Sequence, residues 1–295
     1  MEELRSFLPP SPPSSRLAIC EPVIYLLSDE GEIYTVKSDR RSHFLTPNKV
    51  QRLYSLGLYN TPLMAITDEG ELYAQTFTYP FCGWHQGSVS QLVHIPLGIR
   101  VSDLQVGERH TLFLTPESHV YVMFTGRYGH TTWEEGEQPP LLKLSVPPVI
   151  MIAMGVNDRI VLATEQGIFS NTLEKLVEFQ LSPAVIPGRI KRLAFPGHRV
   201  NVITEDGELY TFNPSHGICE QVLIPDEKVN EISCIFGVSV ILTGRGSIYL
   251  MEVGKVPRLI TLDERVKEVR LSAFNVGVLT EGDEVKTLRL QPLLE

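Results

Sequence analysis

Thr204-Glu205-Asp206-Gly207-Glu208-Leu209-Tyr210 is a seven-residue phrase that recurs along this chain of 295 residues. Six further copies, two of them close and four weaker, begin at Ser28, Thr67, Thr115, Thr164, Thr243 and Thr280. Successive copies are 39, 48, 49, 40, 39 and 37 residues apart. Repeats of this length are typical of solenoids, propellers and other arrays of one supersecondary unit. The repetition therefore determines the fold prediction.

Each phrase is flanked by two segments that have the composition of β-strands. Before the last close copy runs Val200-Asn201-Val202-Ile203, which is apolar and β-branched, and after its glycine comes Leu209-Tyr210. The acidic residues and the glycine between them suit a tight turn, because glycine adopts positive φ without steric cost. The phrase therefore predicts an antiparallel hairpin, and turn geometry alone explains its carboxylates.

Two further elements complete each repeat. One has apolar residues three positions apart, followed in most repeats by glycine, as in Val229 and Ile232 before Gly237. Another short apolar element precedes it, such as Gln221 to Ile224. Four short strands with their turns need about 40 residues. The sequence thus predicts an all-β fold, a seven-bladed β-propeller of four-stranded antiparallel blades.

The third repeat carries a specific family resemblance. Gly107-Glu-Arg-His110-Thr111-Leu112-Phe113-Leu114-Thr115, then Val120-Tyr121 and Gly126 to Gly129, resembles the repeat of the regulator of chromosome condensation family. The resemblance extends over residues 16 to 295, but the other repeats lack the His-Thr pair. The family's Trp-Gly is missing in the third repeat too, where Phe124-Thr125 stands in its place. It implies a seven-bladed propeller and, as one function, nucleotide exchange on a Ran-like GTPase. A WD-repeat propeller is the competing interpretation, and the sequence contains no Trp-Asp dipeptide.

The domain prediction is a Pro/Ser-rich tail over residues 1–15 and a single propeller over residues 16–295. The residues from 286 to 294 are apolar enough to supply a strand that completes the first blade. No apolar run approaches the ~20 residues that a membrane span requires, and residues 1–15 lack the pattern of a signal peptide. We expect a monomer located inside the cell, in the cytoplasm or the nucleus.

Charge and cysteine content exclude some classes of function. The formal net charge of −9 argues against nucleic acid as the main partner, because phosphate binding depends on Lys and Arg. The segments 37–43 and 49–52 hold five cations, which either form a local basic patch or a solvated loop of mixed charge. The four cysteines are isolated and form no Cys-x-x-Cys pair, which argues against a metal site. They are Cys20, Cys82, Cys219 and Cys234.

The sequence contains no strong catalytic motif. It lacks a Gly-x-Ser-x-Gly elbow, a P-loop, a His-Glu-x-x-His pair and a dinucleotide-binding glycine set. We therefore predict no catalytic residue, no cofactor and no metal ligand. An enzyme that uses the central channel is the remaining alternative, and it would require a cluster of buried polar residues at a channel mouth.

Two insertions are the best candidates for a binding site. The second and third repeats each carry about nine extra residues, at 76–91 and 124–141, and these hold both tryptophans. Loops carry binding function disproportionately, and Trp, Tyr and Arg are enriched in interface hot spots. The candidate partner-binding residues are Phe81, Trp84, His85, Arg127, Tyr128, Trp133, Glu134 and Glu135. The alternative is that these aromatic residues pack between blades.

The sequence thus favours a non-enzymatic protein–protein interaction module. The alternative that the family resemblance suggests is a guanine-nucleotide exchange factor for a Ran-like small GTPase. For that activity, the segment with Glu134, Glu135 and Glu137 is the place to examine. A protein partner, which could be a small GTPase, is expected in either case.

Overall fold

A computed structural model describes residues 16–20, 23–37, 40–44, 49–55, 63–75, 92–107, 110–124, 140–155, 159–172, 175–225 and 227–294. The described residues form seven antiparallel sheets, each built from strands that are consecutive in sequence. The prediction of a seven-bladed, four-stranded, all-β propeller is therefore confirmed. The last sheet differs from the other six because it has three strands in the described part of the chain.

The first four sheets hold sixteen strands. Sheet one comprises β1 (Leu17–Cys20), β2 (Val23–Leu27), β3 (Ile33–Lys37) and β4 (Arg40–Phe44). Sheet two comprises β5 (Val50–Tyr54), β6 (Met64–Thr67), β7 (Leu72–Gln75) and β8 (Leu92–Ile95). Sheet three comprises β9 (Asp103–Val106), β10 (His110–Leu114), β11 (Val120–Phe124) and β12 (Leu141–Lys143). Sheet four comprises β13 (Val149–Met154), β14 (Ile160–Thr164), β15 (Gly167–Thr172) and β16 (Lys175–Leu181).

The last three sheets follow the same order. Sheet five comprises β17 (Ile190–Ala194), β18 (Val200–Thr204), β19 (Leu209–Phe212) and β20 (Cys219–Val222). Sheet six comprises β21 (Val229–Ile235), β22 (Val238–Thr243), β23 (Ile248–Glu252) and β24 (Arg258–Ile260). Sheet seven comprises β25 (Val266–Leu271), β26 (Asn275–Thr280) and β27 (Val285–Arg289), followed by the short helix α1 (Gln291–Leu294).

The ring closes through the first strand of every sheet. The contacts run β1·β5, β5·β9, β9·β13, β13·β17, β17·β21, β21·β25 and β25·β1 without a break. Sheet one takes all four strands from residues 17–44, so the expectation that residues 286–294 complete the first blade is wrong. Those residues instead form the end of β27, which pairs with β26 in the last sheet, and helix α1.

The hydrophobic core consists of seven clusters, one at each junction between neighbouring sheets. Sheets one and two share the cluster around Tyr25, Leu53 and Ala65, and sheets seven and one share a smaller cluster around Leu17 and Leu279. The remaining five clusters join the other neighbouring pairs in turn. Each sheet is therefore apolar on both faces, as its short continuous apolar strands indicate.

A recurrent β-bulge explains the apolar residues that lie three apart in the first strands. In an unbroken strand, residues three apart face opposite sides of the sheet. The register shifts between Val50 and Arg52, and the same shift recurs in β13, β17, β21 and β25. The extra residue at a bulge reverses the alternation. Val50 and Leu53 consequently enter the same core cluster, although they are three residues apart.

The predicted hairpins lie between the second and third strands of every sheet. Their glycines adopt positive φ, for example +80° at Gly70 and +82° at Gly246. These glycines also touch the next sheet, because the Val101 amide donates a hydrogen bond to the carbonyl of Gly70 at 2.8 Å. A Cβ on Gly246 would stand 2.9 Å from the backbone nitrogen of Val266. The phrase therefore specifies both the turn and the contact between blades.

Candidate functional site

The direction of the strands divides the connections between two faces of the ring. Because neighbouring strands are antiparallel, the connections from first to second and from third to fourth strands leave the same edge of each sheet. We call this side the insertion face. The hairpins between second and third strands, and the passages from one sheet to the next, leave the other edge, which we call the hairpin face. The two insertions leave from Gln75 and Phe124, so both begin on the insertion face of adjacent sheets.

The residues predicted to bind a partner lie outside the described residues. Phe81, Trp84 and His85 fall in 76–91, and Arg127, Tyr128, Trp133, Glu134 and Glu135 fall in 125–139. The hypothesis of one binding patch formed by these side chains therefore stays a prediction. Each insertion connects the third strand of its sheet to the fourth, at Leu92 and Leu141 respectively.

The central channel is lined by the first strands and encloses a cavity of about 480 Å³. A row of seven side chains follows this channel, and six of them stand immediately after the recurrent bulges or at the matching position of β9. The equivalent row around all seven sheets is Arg16, Arg52, Asp103, Met151, Arg192, Glu231 and Glu268. The row thus contains three arginines, three carboxylates and one methionine. The guanidinium of Arg16 lies 3.4 Å from Asp29, which is outside the row. Sequence reasoning missed the row, although a charged residue inside five of the seven apolar first strands was a readable signal.

The acidic half of the row is fully paired. Arg270 stands 2.8 Å from Glu231 and 2.9 Å from Glu268, and Arg192 stands 3.7 Å from Glu231. The carboxylate of Glu268 also accepts hydrogen bonds from the amides of Arg16 at 3.1 Å and Leu17 at 3.0 Å. A continuous series of ion pairs and hydrogen bonds thus connects sheets five, six, seven and one. Its last link joins the end of the ring to its beginning.

The opposite side of the channel has a second polar group. The hydroxyl of Tyr54 donates to Asp103 at 2.7 Å, and Arg52 donates to the carbonyl of Ser102 at 2.7 Å. Arg52 also lies 3.8 Å from the Asp103 carboxylate. Ser55 connects this group to sheet one, because its hydroxyl donates to the carbonyl of Ile19 at 2.7 Å. These bonds hold sheets one, two and three together around the channel.

Burial controls the titration of the channel groups. It raises the pKa of the Asp103 carboxyl, an effect that the hydrogen bond from Tyr54 and the charge of Arg52 only partly oppose. Burial likewise raises the pKa of Glu268, against the charge of Arg270. Burial would lower the pKa of Arg270, but the carboxylates of Glu231 and Glu268 raise it above its usual value. These shifts are typical of buried ion pairs.

The channel therefore contains the buried polar cluster that an enzymatic interpretation requires, but its groups are bonded to one another. Each carboxylate of the row has a guanidinium, hydroxyl or amide partner. Among the described residues, no group of three or more His, Cys, Asp or Glu is placed to hold a metal ion. The described groups form an ion network that connects sheets.

Arg52 does not contribute to a local basic patch, which was one of two interpretations of segments 37–43 and 49–52, because its side chain is buried in the channel. Lys49 is exposed at the start of β5, on the hairpin face, while the side chains of 37–44 lie outside the described set. Cys20, Cys219 and Cys234 form no disulfide within the part of the chain that the structure describes. Burial raises the pKa of Cys234 to about 12, which makes this thiol unreactive at neutral pH.

None of the helical segments in the described ranges has the length and apolar character that crossing a bilayer demands.

The hairpin face carries the carboxylates of the recurring phrase, and these are exposed. The carboxylates form hydrogen bonds within the turn. At Glu30, a backbone hydrogen bond and the Ser28 hydroxyl lower the pKa of the carboxyl. Cations precede the first strands on the same face, and Arg100 donates to the carbonyl of Glu69 at 3.0 Å. This face is consequently a solvated surface of mixed charge, as turn geometry predicts.

Comparison with known proteins identifies the fold only. No family model matches the chain, and no curated protein matches it in sequence. Yeast RCC1 (Prp20), solved bound to Kap60, is 14% identical with a TM-score of 0.61, over 85% of this chain and 73% of that one. Human WBSCR16 is 14% identical with a TM-score of 0.65, and the match covers 90% of this chain and 88% of that one. BBS1N, solved in complex with ARL6DN, is 11% identical with a TM-score of 0.64, and the match covers 94% of this chain and 92% of that one. The chain shares its β-propeller fold with these solved structures.

Proposed function

We propose that this protein is a non-enzymatic interaction module of the regulator of chromosome condensation type, acting inside the cell. The observation that carries the proposal is the ring itself, in which the polar groups of the channel bond across sheets. A rigid ring with long connections on one face presents binding residues without the need for a catalytic centre. Fold-level likeness to propellers solved with protein partners, such as Kap60 and ARL6DN, supports the same class of function.

The proposed binding surface comprises the two insertions, with Trp84 and Trp133 as its anchors. Both insertions start on the insertion face of adjacent sheets, which supports a single surface. Trp residues in such positions supply a large contact area at low entropic cost. The surface would bind a protein, and the net charge of −9 argues against nucleic acid.

The test uses the full chain with Trp84→Ala and Trp133→Ala, separately and combined. Partners are identified by affinity capture and mass spectrometry, and the affinity of the purified partner for each variant is then measured. We expect about a tenfold or greater loss of affinity, because hot-spot truncations cost more than about 1.4 kcal/mol. The melting temperature should be unchanged. A large fall in melting temperature would instead support aromatic packing between blades.

Nucleotide exchange on a small GTPase is the second candidate function. It is favoured by the likeness in fold to yeast RCC1 and by the repeat resemblance around His110 to Thr115. Fluorescent-nucleotide release from a panel of small GTPases tests it, with Glu134→Ala and Glu135→Ala as variants. Release accelerated by the wild type but not by these variants would support exchange. No acceleration of any GTPase would eliminate it and leave the interaction module standing.

A further inference from the structure

Four exposed apolar residues lie on the insertion face of the last two sheets. Phe236 and Phe274 occupy the turns between first and second strands, with 51% and 60% of their surface exposed. Val253 and Val256 lie in the connection between β23 and β24, with 49% and 87% exposed. We define these four residues as the apolar patch. It differs from the insertions, which belong to sheets two and three.

Hydrogen bonds fix the backbone of the patch. The Val253 amide donates to the carbonyl of Gly237 at 3.0 Å, which ties the two connections of sheet six together. The Gly237 amide donates in turn to the carbonyl of Pro196 in sheet five. In sheet seven, the Leu290 amide donates to the carbonyl of Phe274 at 2.8 Å. The exposed side chains therefore stand on a bonded framework.

Phe236 adopts a backbone conformation that its side chain disfavours. It forms a two-residue turn with Gly237 between the paired residues Ile235 and Val238, and its φ is +46°. Positive φ at both central residues defines a type I′ turn, for which Asn-Gly is preferred. A bulky residue is disfavoured there, and 51% exposure of Phe236 means that burial offsets little of that cost. Strain of this kind that stability does not explain indicates a functional side chain.

The margin of the apolar patch is basic. Lys255, Arg258 and Arg289 flank it and are exposed, and Arg289 immediately precedes Leu290, whose amide bonds Phe274. Among the described residues 252–258 and 285–294, the one carboxylate is Glu252, and it is 2.8 Å from Lys255. Two cations thus remain in excess, on a chain whose net charge is −9. An apolar surface with a cationic margin is complementary to an apolar segment that carries carboxylates.

We propose that the apolar patch binds a short acidic segment of a partner protein, in which Leu or Phe side chains alternate with Glu or Asp. The apolar side chains of that segment contact Phe236, Val253 and Phe274, and its carboxylates lie against Arg258 and Arg289. This surface is an addition to the insertion surface of the proposed function, and it involves different residues.

The test measures fluorescence anisotropy of labelled synthetic peptides of about 15 residues with the purified full chain. One peptide has Leu and Phe among Glu residues, a second has Lys in place of Glu, and a third has Ser in place of Leu and Phe. The protein variants are Phe236→Asn and Phe274→Ser. The matched control is Val185→Asn, an exposed apolar residue on the hairpin face with 81% exposure.

We expect the acidic apolar peptide to bind and the other two peptides to bind at least about tenfold more weakly. Phe236→Asn and Phe274→Ser should each weaken that binding by about tenfold, while Val185→Asn leaves it unchanged. Phe236→Asn should also raise the melting temperature, because Asn-Gly suits the turn. A loss of binding in that variant therefore cannot be attributed to unfolding.

Several outcomes would overturn the proposal. These are equal binding of the Lys peptide, undiminished binding in both Phe variants, and no binding of any peptide. Concentration-dependent self-association that Phe236→Asn abolishes would assign the apolar patch to a second copy of the chain instead. Partner binding that depends on Trp84 and Trp133 but not on Phe236 or Phe274 would overturn this inference and leave the proposed function intact.

Discussion

Glycine at the hairpin position has two roles that can be measured separately. Gly246 and Gly254 lie in the same sheet with φ of +82° and +79°. A Cβ at Gly246 would meet backbone atoms of Val266 at 2.9 and 3.1 Å, whereas nothing lies within 4 Å of a Cβ at Gly254. The two positions therefore share the cost of positive φ and differ in the contact with the next blade.

Gly254→Ala should lower the free energy of unfolding by about 1–2 kcal/mol, the cost of left-handed backbone for a residue with a Cβ. Gly246→Ala should cost about 1–3 kcal/mol more, because the added methyl group displaces the first strand of sheet seven. Denaturant unfolding of both variants tests this. Equal losses would mean that the hairpin glycine is required for its φ alone.

The recurring phrase was sufficient to predict these turns, because positive φ is a local property that glycine reveals in sequence. The same reasoning did not identify the positive φ of Phe236, because nothing in the sequence distinguishes this phenylalanine from other apolar residues beside a glycine. Only the backbone angle of +46° distinguishes it. The eight residues of the two insertions that were predicted to bind a partner stay a prediction for a different reason. They belong to long connections whose side chains local sequence patterns do not position.

At the level of the element, the bulged first strand accounts for both the core and the channel. The spacing of three in Val50 and Leu53 predicted a third strand-like element, and the bulge explains why both residues are buried. In five repeats the charges two positions after the initial apolar residue were in the sequence as well. Their arrangement in one row depends on closing seven strands around an axis, and a single repeat does not reveal that.

Asp103 on β9 provides a pH-dependent test of the row. Burial raises the pKa of its carboxyl above the usual 3.8, so the folded state binds this proton more tightly than the unfolded state. Its contribution to stability is therefore full below pH 3.8 and is lost as pH rises through the folded pKa. Asp103→Asn keeps an acceptor for Tyr54 and removes the titration.

As pH rises from about 4 towards neutrality, the free energy of unfolding of the wild type should fall relative to that of Asp103→Asn. Urea unfolding at several pH values measures this difference. Asp29, which is exposed on the hairpin face, supplies the control variant Asp29→Asn. A constant difference across the pH range would show that Asp103 is as well solvated in the ring as in the unfolded chain.

At the scale of the whole molecule, the ring is a series of seven junctions that differ in strength. The cluster between sheets seven and one has five buried residues, whereas the one between sheets one and two has eleven. Glu268 compensates for part of this difference by accepting the amides of Arg16 and Leu17. The sequence predicted the number of sheets because the phrase recurs seven times. It did not predict which strands meet at closure, because any terminal segment with apolar residues can pair with an open sheet edge.

Glu268→Ala should lower the free energy of unfolding by about 3–5 kcal/mol, because it leaves Arg270 and two amides without this partner in a buried site. Hydrogen exchange should accelerate most in Leu17–Cys20 and Asn275–Thr280. Glu220→Ala is the control, since the pair of Glu220 with Arg199 is largely exposed and such pairs contribute about 1 kcal/mol or less. Exchange that accelerates equally in all sheets would contradict a special role for the closing junction.

The order of the strands also determines how the molecule responds to mechanical force. Each sheet is formed by consecutive strands, so tension applied between residues 16 and 290 acts on the small apolar cluster and the Glu268 contacts rather than along a ladder of strand hydrogen bonds. Under such a load, the ring would part between its first and last sheets while the other six junctions stayed packed.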